Sequence, residues 1–187
     1  MTKCFKLILV NLLLLLATSC STSQIPTSAA GDPALEAKAR IALQQLYNTT
    51  PNAKLLRSQV KAVLVFPEIL KAGLIVGGEE GNGVMFGADG KVLGYYNATA
   101  VSYGLQVGAQ SFQEAMFLMT DSAINYLATS DGWSIGAGPS VVVVDSGTAR
   151  SLTSTTLKSD VYAFIYGQQG LMAGIGIQGQ KISKLGK

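Results

Sequence analysis

Histidine is absent from this 187-residue chain, and cysteine occurs only at Cys4 and Cys20. Without an imidazole there is no histidine general base, no Ser-His-Asp or Cys-His triad and no histidine metal ligand, and two cysteines do not make a thiolate metal site. No metal and no cofactor is therefore expected. Charge is also scarce, at 13% against 48% hydrophobic residues. Such a chain is too apolar to stay unfolded, long enough for one domain with a core and too short for two. The formal charge of +3 falls to +1 when Lys3 and Lys6 are set aside with the leader described below, leaving twelve basic residues against eleven acidic ones. No nucleic-acid partner is expected on bulk charge. Glycine, by contrast, is abundant at 21 residues, which predicts a sheet-rich body of closely approaching strands.

Residues 1–20 read MTKCFKLILVNLLLLLATSC: two lysines, an apolar run from Leu7 to Leu16 broken only by Asn11, then small residues before a cysteine. This is the order of a secretory signal, and the run is shorter than the roughly 20 residues that cross a bilayer. Ala17-Thr18-Ser19-Cys20 resembles the lipobox of bacterial lipoproteins. The resemblance implies a signal peptide over 1–19 and a Cys20 that carries diacylglycerol and a further acyl chain such as palmitate. An ordinary signal-peptidase site would instead leave Cys20 as an odd free thiol. Ser21 in place of aspartate after the cysteine implies, by the same resemblance, the bacterial outer membrane, with the domain facing the periplasm. The stretch that follows Cys20, STSQIPTSAAG, is small, polar and uncharged, so residues 20–31 read as a flexible tether and the folded domain is expected over 32–187.

Asp32-Pro33 is a cap-and-proline helix start. Leu35, Ala39, Ala42, Leu43 and Leu46 then share one side, and Glu36 and Arg40 are spaced as an i,i+4 pair. Thr50-Pro51 repeats the start for a shorter helix to about Gln59. The period then changes to that of strands: AVLVF (62–66), and a run from Gly73 broken by GGEEGNG (77–83) and by a tight Ala88-Asp89-Gly90 turn. Short apolar segments continue over 103–119, followed by a helix capped at Thr120 or Asp121 that carries Ala123, Ile124 and Leu127. Strands return at 140–145, 161–166 and 170–185. The expected fold is α+β, with N-terminal helices packed on a strongly bent antiparallel sheet or partly open β-barrel.

Gly174, Gly176 and Gly179 match G-x-G-x-x-G, but only eight residues follow and no helix is there to receive a pyrophosphate. GGEEGNG lacks the spacing of a calcium loop and reads as a solvated hairpin. The eleven acids show no spacing that supports carboxylate-pair hydrolysis, so no catalytic residue is assigned. Charge is unevenly placed: six basic residues against Glu36 and Glu68 over 33–71, then three against eight acids over 72–180, then Lys181, Lys184 and Lys187. If the helices and the last strand lie together they form a basic face suited to lipid phosphates.

Val60-Lys61-Ala62-Val63-Leu64-Val65-Phe66-Pro67, Lys71-Ala72-Gly73, Gly94-Tyr95-Tyr96, Gln106-Val107-Gly108-Ala109-Gln110, Asp160-Val161-Tyr162-Ala163-Phe164 and Gly167-Gln168-Gln169-Gly170-Leu171 together resemble the SYLF domain, a lipid-binding family of bacterial envelope and eukaryotic trafficking proteins. The resemblance implies phospholipid binding without catalysis, and head-group contacts at the basic residues of the N-terminal region: Lys54, Arg57, Lys61 and Lys71. Actin binding, known for some eukaryotic relatives, is not expected of an exported protein. The expectation is a membrane-anchored lipoprotein that binds anionic phospholipid, with an envelope protein that docks a protein partner as the alternative.

Overall fold

A computed structural model describes residues 31–129, 132–134, 138–144 and 159–186. The signal, Cys20 and most of the tether lie outside them, as do the side chains of Leu105, Gln106, Trp133 and 173–179. Asp32 opens helix α1 (Pro33–Thr49): its Oδ1 accepts from the Ala34 and Leu35 amides, each at 3.0 Å, and Pro33 takes the first helical position. Ala39, Ala42 and Leu46 form the buried stripe, with Leu35 and Leu43 at its margin. The short helix α2 (Pro51–Leu56) ends before Gln59, because the chain turns there through a Gln59 N–H bond to the Leu56 carbonyl. Glu36 and Arg40 do not turn to each other. Glu36 accepts a short hydrogen bond from the Tyr95 hydroxyl, and Arg40 donates to the Gly90 carbonyl at 3.1 Å. An exposed i,i+4 pair is worth only about 0.2–0.5 kcal/mol, so tertiary partners displace it.

Three long strands carry the fold: β1 (Ala62–Gly87), β2 (Val92–Leu118) and, after helix α3 (Asp121–Thr129), strand β3 (Trp133–Ser134) and strand β4 (Val141–Val144), the last strand β5 (Val161–Lys184). The sheet order is β1-β2-β5-β3, antiparallel throughout except that β4 runs parallel to β5. The sheet is therefore mixed rather than purely antiparallel. A straight strand as long as β1 would span about 85 Å. Instead the three-stranded ribbon doubles back at a corner. There β1 passes from Leu74 to Val76 over one residue while β2 takes three between Val107 and Tyr103, so β2 runs round the outside.

The two legs of the ribbon then cross in contact. A Cβ on Gly81 would lie 2.6 Å from the Glu68 carbonyl oxygen, and one on Gly83 would lie 2.5 Å from Phe66 Cδ1. Only hydrogen fits at these places. GGEEGNG is thus a correction to the sequence reading: it continues β1, and its glycines let one leg pass over the other.

Inside the fold, Leu64, Phe66 and Ile69 of the first leg meet Met85, Tyr96 and Ile182 of the second, closed by Ala123 and Leu127 of α3. On the outer face of the first leg, Val63, Val65, Phe117 and Phe164 pack beneath α1 and α2. This part of the sheet is covered on both faces, which is why AVLVF reads as an unbroken apolar run. Both cores are built from residues between Ala39 and Ile182. The result is the expected α+β architecture, helices on a curled half-barrel.

The β1–β2 turn closes the other end. Gly90, at φ +79°, donates to the Gly87 carbonyl, and the Ala88 amide bonds the Lys61 carbonyl at 3.0 Å. This end, with α2 and the start of β1, is the base. The corner lies roughly 40 Å away along the legs.

Candidate functional site

Three of the four predicted head-group residues gather at the base. Lys54 on α2 and Arg57 just after it are exposed. Lys61 precedes β1 and makes only an exposed ion pair, Nζ to Asp121 Oδ2 at 3.5 Å, of the weakly contributing kind. Lys71 is parted from them. It stands ten residues further along β1, where its Nζ lies 2.6 Å from Glu79 Oε1 and the two side chains are 15% and 3% exposed.

The base has an arginine that sequence reading passed over, because it was assigned to Glu36. Arg40 and Arg57 line one cleft of about 310 Å³ with Tyr47, Phe86 and the Gly87–Gly90 turn. The Arg40 guanidinium carbon sits 4.5 Å from the Phe86 ring centroid and that of Arg57 5.5 Å from the Tyr47 centroid. A guanidinium over a ring is attracted to its face and has further N–H donors for an oxyanion; one of Arg40's is taken by the Gly90 carbonyl. Asp89 on the rim is bound by Lys91 at 2.8 Å, and that bond holds its carboxyl below the usual range. Burial raises the Tyr47 hydroxyl, with Arg57 opposing, so Tyr47 stays neutral. The last strand joins this end as well: the Leu185 amide bonds the Tyr95 carbonyl at 2.8 Å.

The corner is different in kind. Leu70, Leu74, Ile75, Val76, Val101, Tyr103, Val107 and Leu171 are eight of the fourteen exposed large apolar side chains among the described residues. Register puts the paired ones on one surface: Leu74 pairs with Val107, Val76 with Tyr103, and Leu171 with Ala109, and paired residues share a face; Ile75 is the unpaired residue at the bend between Leu74 and Val76. That face is the outer, convex one, since Ala98, Ala100 and Ser102 on the alternate positions of β2 are buried. No charged residue occurs over Ala72–Gly78, Val92–Gln113 or Val161–Gln180. Each such side chain gains about 1.5–3 kcal/mol on full transfer from water, so a contiguous group of this size marks a contact surface.

Behind the corner the ionisable groups turn inward. Glu114 is 3% exposed and accepts from Gln180 Nε2 at 3.0 Å, a bond that links the two legs. Burial pushes its carboxyl up to about 7, with the Gln180 bond opposing and Glu79 adding to the rise. Glu79 and Glu114 are the acids that come together, and both are buried rather than open to a cleft. Among the described residues no group of three His, Cys, Asp or Glu could hold a metal ion, and no helix is long and apolar enough to cross a membrane. Gly174–Gly179 belong to a strand, so the G-x-G-x-x-G spacing opens no helix.

No curated protein matches the chain. Residues 99–186, which run from Thr99 in β2 past the end of β5, match the family described as Ysc84, Las17-binding protein actin regulator, and this match is consistent with a SYLF-type domain.

Proposed function

We propose that this protein is a lipoprotein anchored through acylated Cys20 in a bacterial outer membrane, and that its domain binds anionic phospholipid head groups rather than catalysing a reaction. The observation that carries this reading is the cleft lined by both Arg40 and Arg57, each over an aromatic ring, Phe86 and Tyr47. Lys54 and Lys61 add to the same end, whereas Lys71, held by Glu79, does not. The tether supports the orientation. Gly31 lies beside the Tyr95 hydroxyl, so the chain from Cys20 reaches the fold at the base, and the eleven residues 21–31 span at most about 40 Å. Anchor and cations then face one bilayer. The actin regulation in the matched family's description is not assigned to an exported chain.

The test is flotation of the acyl-free chain starting at Ser21 with vesicles of graded anionic content, beside Arg40→Glu/Arg57→Glu. Each cation near an anionic surface contributes about 1 kcal/mol, so loss of the two cations lowers partitioning roughly 30-fold, and the two added carboxylates lower it further. A variant that floats like the wild type would remove the base from lipid recognition. In cells, Cys20→Ala is expected to abolish incorporation of labelled palmitate.

A further inference from the structure

We propose that the convex corner of the ribbon is a second lipid contact, a membrane-penetrating surface in which Leu74, Ile75, Val76, Tyr103, Val107 and Leu171 enter the interfacial layer of a phospholipid bilayer. It uses none of the base residues, so it stands or falls apart from head-group recognition there.

Four observations point to lipid rather than protein as the occupant. The first is exposure without charge: Leu171 is 88% and Tyr103 70% exposed, in stretches with no Asp, Glu, Lys or Arg. A protein interface is also depleted of charge at its core, but it is enriched in arginine, and the described arginines, Arg40 and Arg57, both stand at the base. The second is how the nearest charges are disposed. Lys71 and Glu79 pair with each other and Glu114 is enclosed, so approach of hydrocarbon strips water from no unpaired ion on this face. Glu68, Glu80 and Lys181 are the first exposed charges on either side, where head groups would meet them.

The third is the apex itself. Ile75 has φ +72°, a left-handed conformation that is costly for a β-branched residue. Glycine would relieve it and stands nearby at Gly73 and Gly77, yet the apex keeps a large apolar group, 53% exposed. The fourth is shape. A stable dimer needs about 800 Å² and 20–30 residues on each side, whereas this surface is a convex corner with eight large apolar side chains. Depth is bounded too. In the corner β1 lies at the edge of the sheet, and its unpaired backbone groups cannot enter hydrocarbon. The corner therefore seats among head groups and upper acyl carbons, as amphipathic helices do.

The experiment uses the acyl-free chain starting at Ser21, which retains every residue of both cores, and phosphatidylcholine vesicles brominated at known acyl depths, in high salt so that the base contributes little. Leu171→Trp is compared with wild type, whose single tryptophan is Trp133. Vesicles are expected to shift the added emission to shorter wavelength, with quenching strongest for bromines nearest the head groups. Adding Val107→Glu/Tyr103→Glu should abolish both effects, Ile75→Gly should weaken binding several-fold without lowering the melting temperature, and Arg40→Glu/Arg57→Glu should change neither. An unshifted Leu171→Trp emission overturns the proposal. If the protein also sediments as a dimer that Val107→Glu dissolves, the corner is a self-association surface. Loss of the shift in the arginine variant would likewise overturn it, by assigning the contact to the base.

Discussion

The base and the corner use the same three strands and opposite physics. At the base the strands end in cations held at the surface, with Arg40 and Arg57 fixed by aromatic rings and Lys54 and Lys61 exposed beside them. At the corner the strands continue through a bend, the outer face is apolar, and the cation, Lys71, is folded inward onto Glu79. Two lysines only ten residues apart on one segment, Lys61 and Lys71, thus do different work. Lys61 is solvated and interchangeable; Lys71 compensates a buried carboxylate. The lesson is that a count of basic residues in this region overstates its reach for phosphate, because burial decides which charges are available.

Substitutions can break this contrast, beginning with the feature that both ends depend on. Gly83→Val would drive side-chain atoms into Phe66 and the Val65 carbonyl, already 2.5 and 2.7 Å from a single Cβ. Overpacking of this kind costs about 1–3 kcal/mol when neighbours can move. Here one neighbour is backbone, so the loss is expected at or above that range, read as insolubility or a melting temperature lowered by 10 °C or more. Lys71→Met should come next. It leaves Glu79 buried without its cation, at a cost of about 3–5 kcal/mol in urea unfolding, while flotation with anionic vesicles at permissive temperature stays as in wild type. Lys54→Ala should show the reverse: stability within about 0.5 kcal/mol of wild type and weaker flotation. If Lys71→Met weakens flotation as much as Lys54→Ala does, the division between base and corner fails.

Glu114 gives the contrast a pH dependence. Its folded-state carboxyl stands at about 7 against an ordinary 4.5, so the native state holds a proton that the unfolded state has released. Stability from this group is highest below about 4.5, falls as pH rises toward 7, and the penalty is complete above it. Glu114→Gln, which can still accept from Gln180, should raise stability by on the order of 2–3 kcal/mol at pH 8 and by almost nothing at pH 4. A pH-independent gain in urea titrations would mean that burial is not what perturbs the carboxyl. The smallest effect is expected for Lys61→Ala. Its exposed 3.5 Å pair with Asp121 should contribute less than about 1 kcal/mol and fade in salt.

Much of the local structure was legible without coordinates. Asp32-Pro33 caps α1, the Leu35–Leu46 spacing marks its buried face, Thr120 caps α3 through a bond from the Ala123 amide, and Gly90 makes the tight turn. Each of these depends on residues within a few positions of one another. What could not be read depended on distant partners. GGEEGNG has the composition of a solvated turn, but Gly81 and Gly83 serve contacts with Glu68, Ile69 and Phe66 on the other leg. Arg40 looked committed to Glu36 until Tyr95 and Gly90 arrived from β2 and the hairpin turn. Three strands of ordinary length looked more natural than one that bends, since periodicity records which face a residue takes and not where a ribbon turns.

By itself, then, the amino-acid order determined the α+β class, the helix starts, the apolar alternation, the absence of histidine chemistry and the basic–acidic–basic layout, all of which follow from residue type and short-range spacing. Tertiary structure decided which of those residues are available. Folding the ribbon back on itself withdrew Lys71, Glu79 and Glu114 from water and brought Arg40 to Arg57. It also pushed Leu74, Val107 and Leu171 to the outside of a bend. Availability is set by what the second leg covers, and that is a property of residues brought together across the fold from distant parts of the chain.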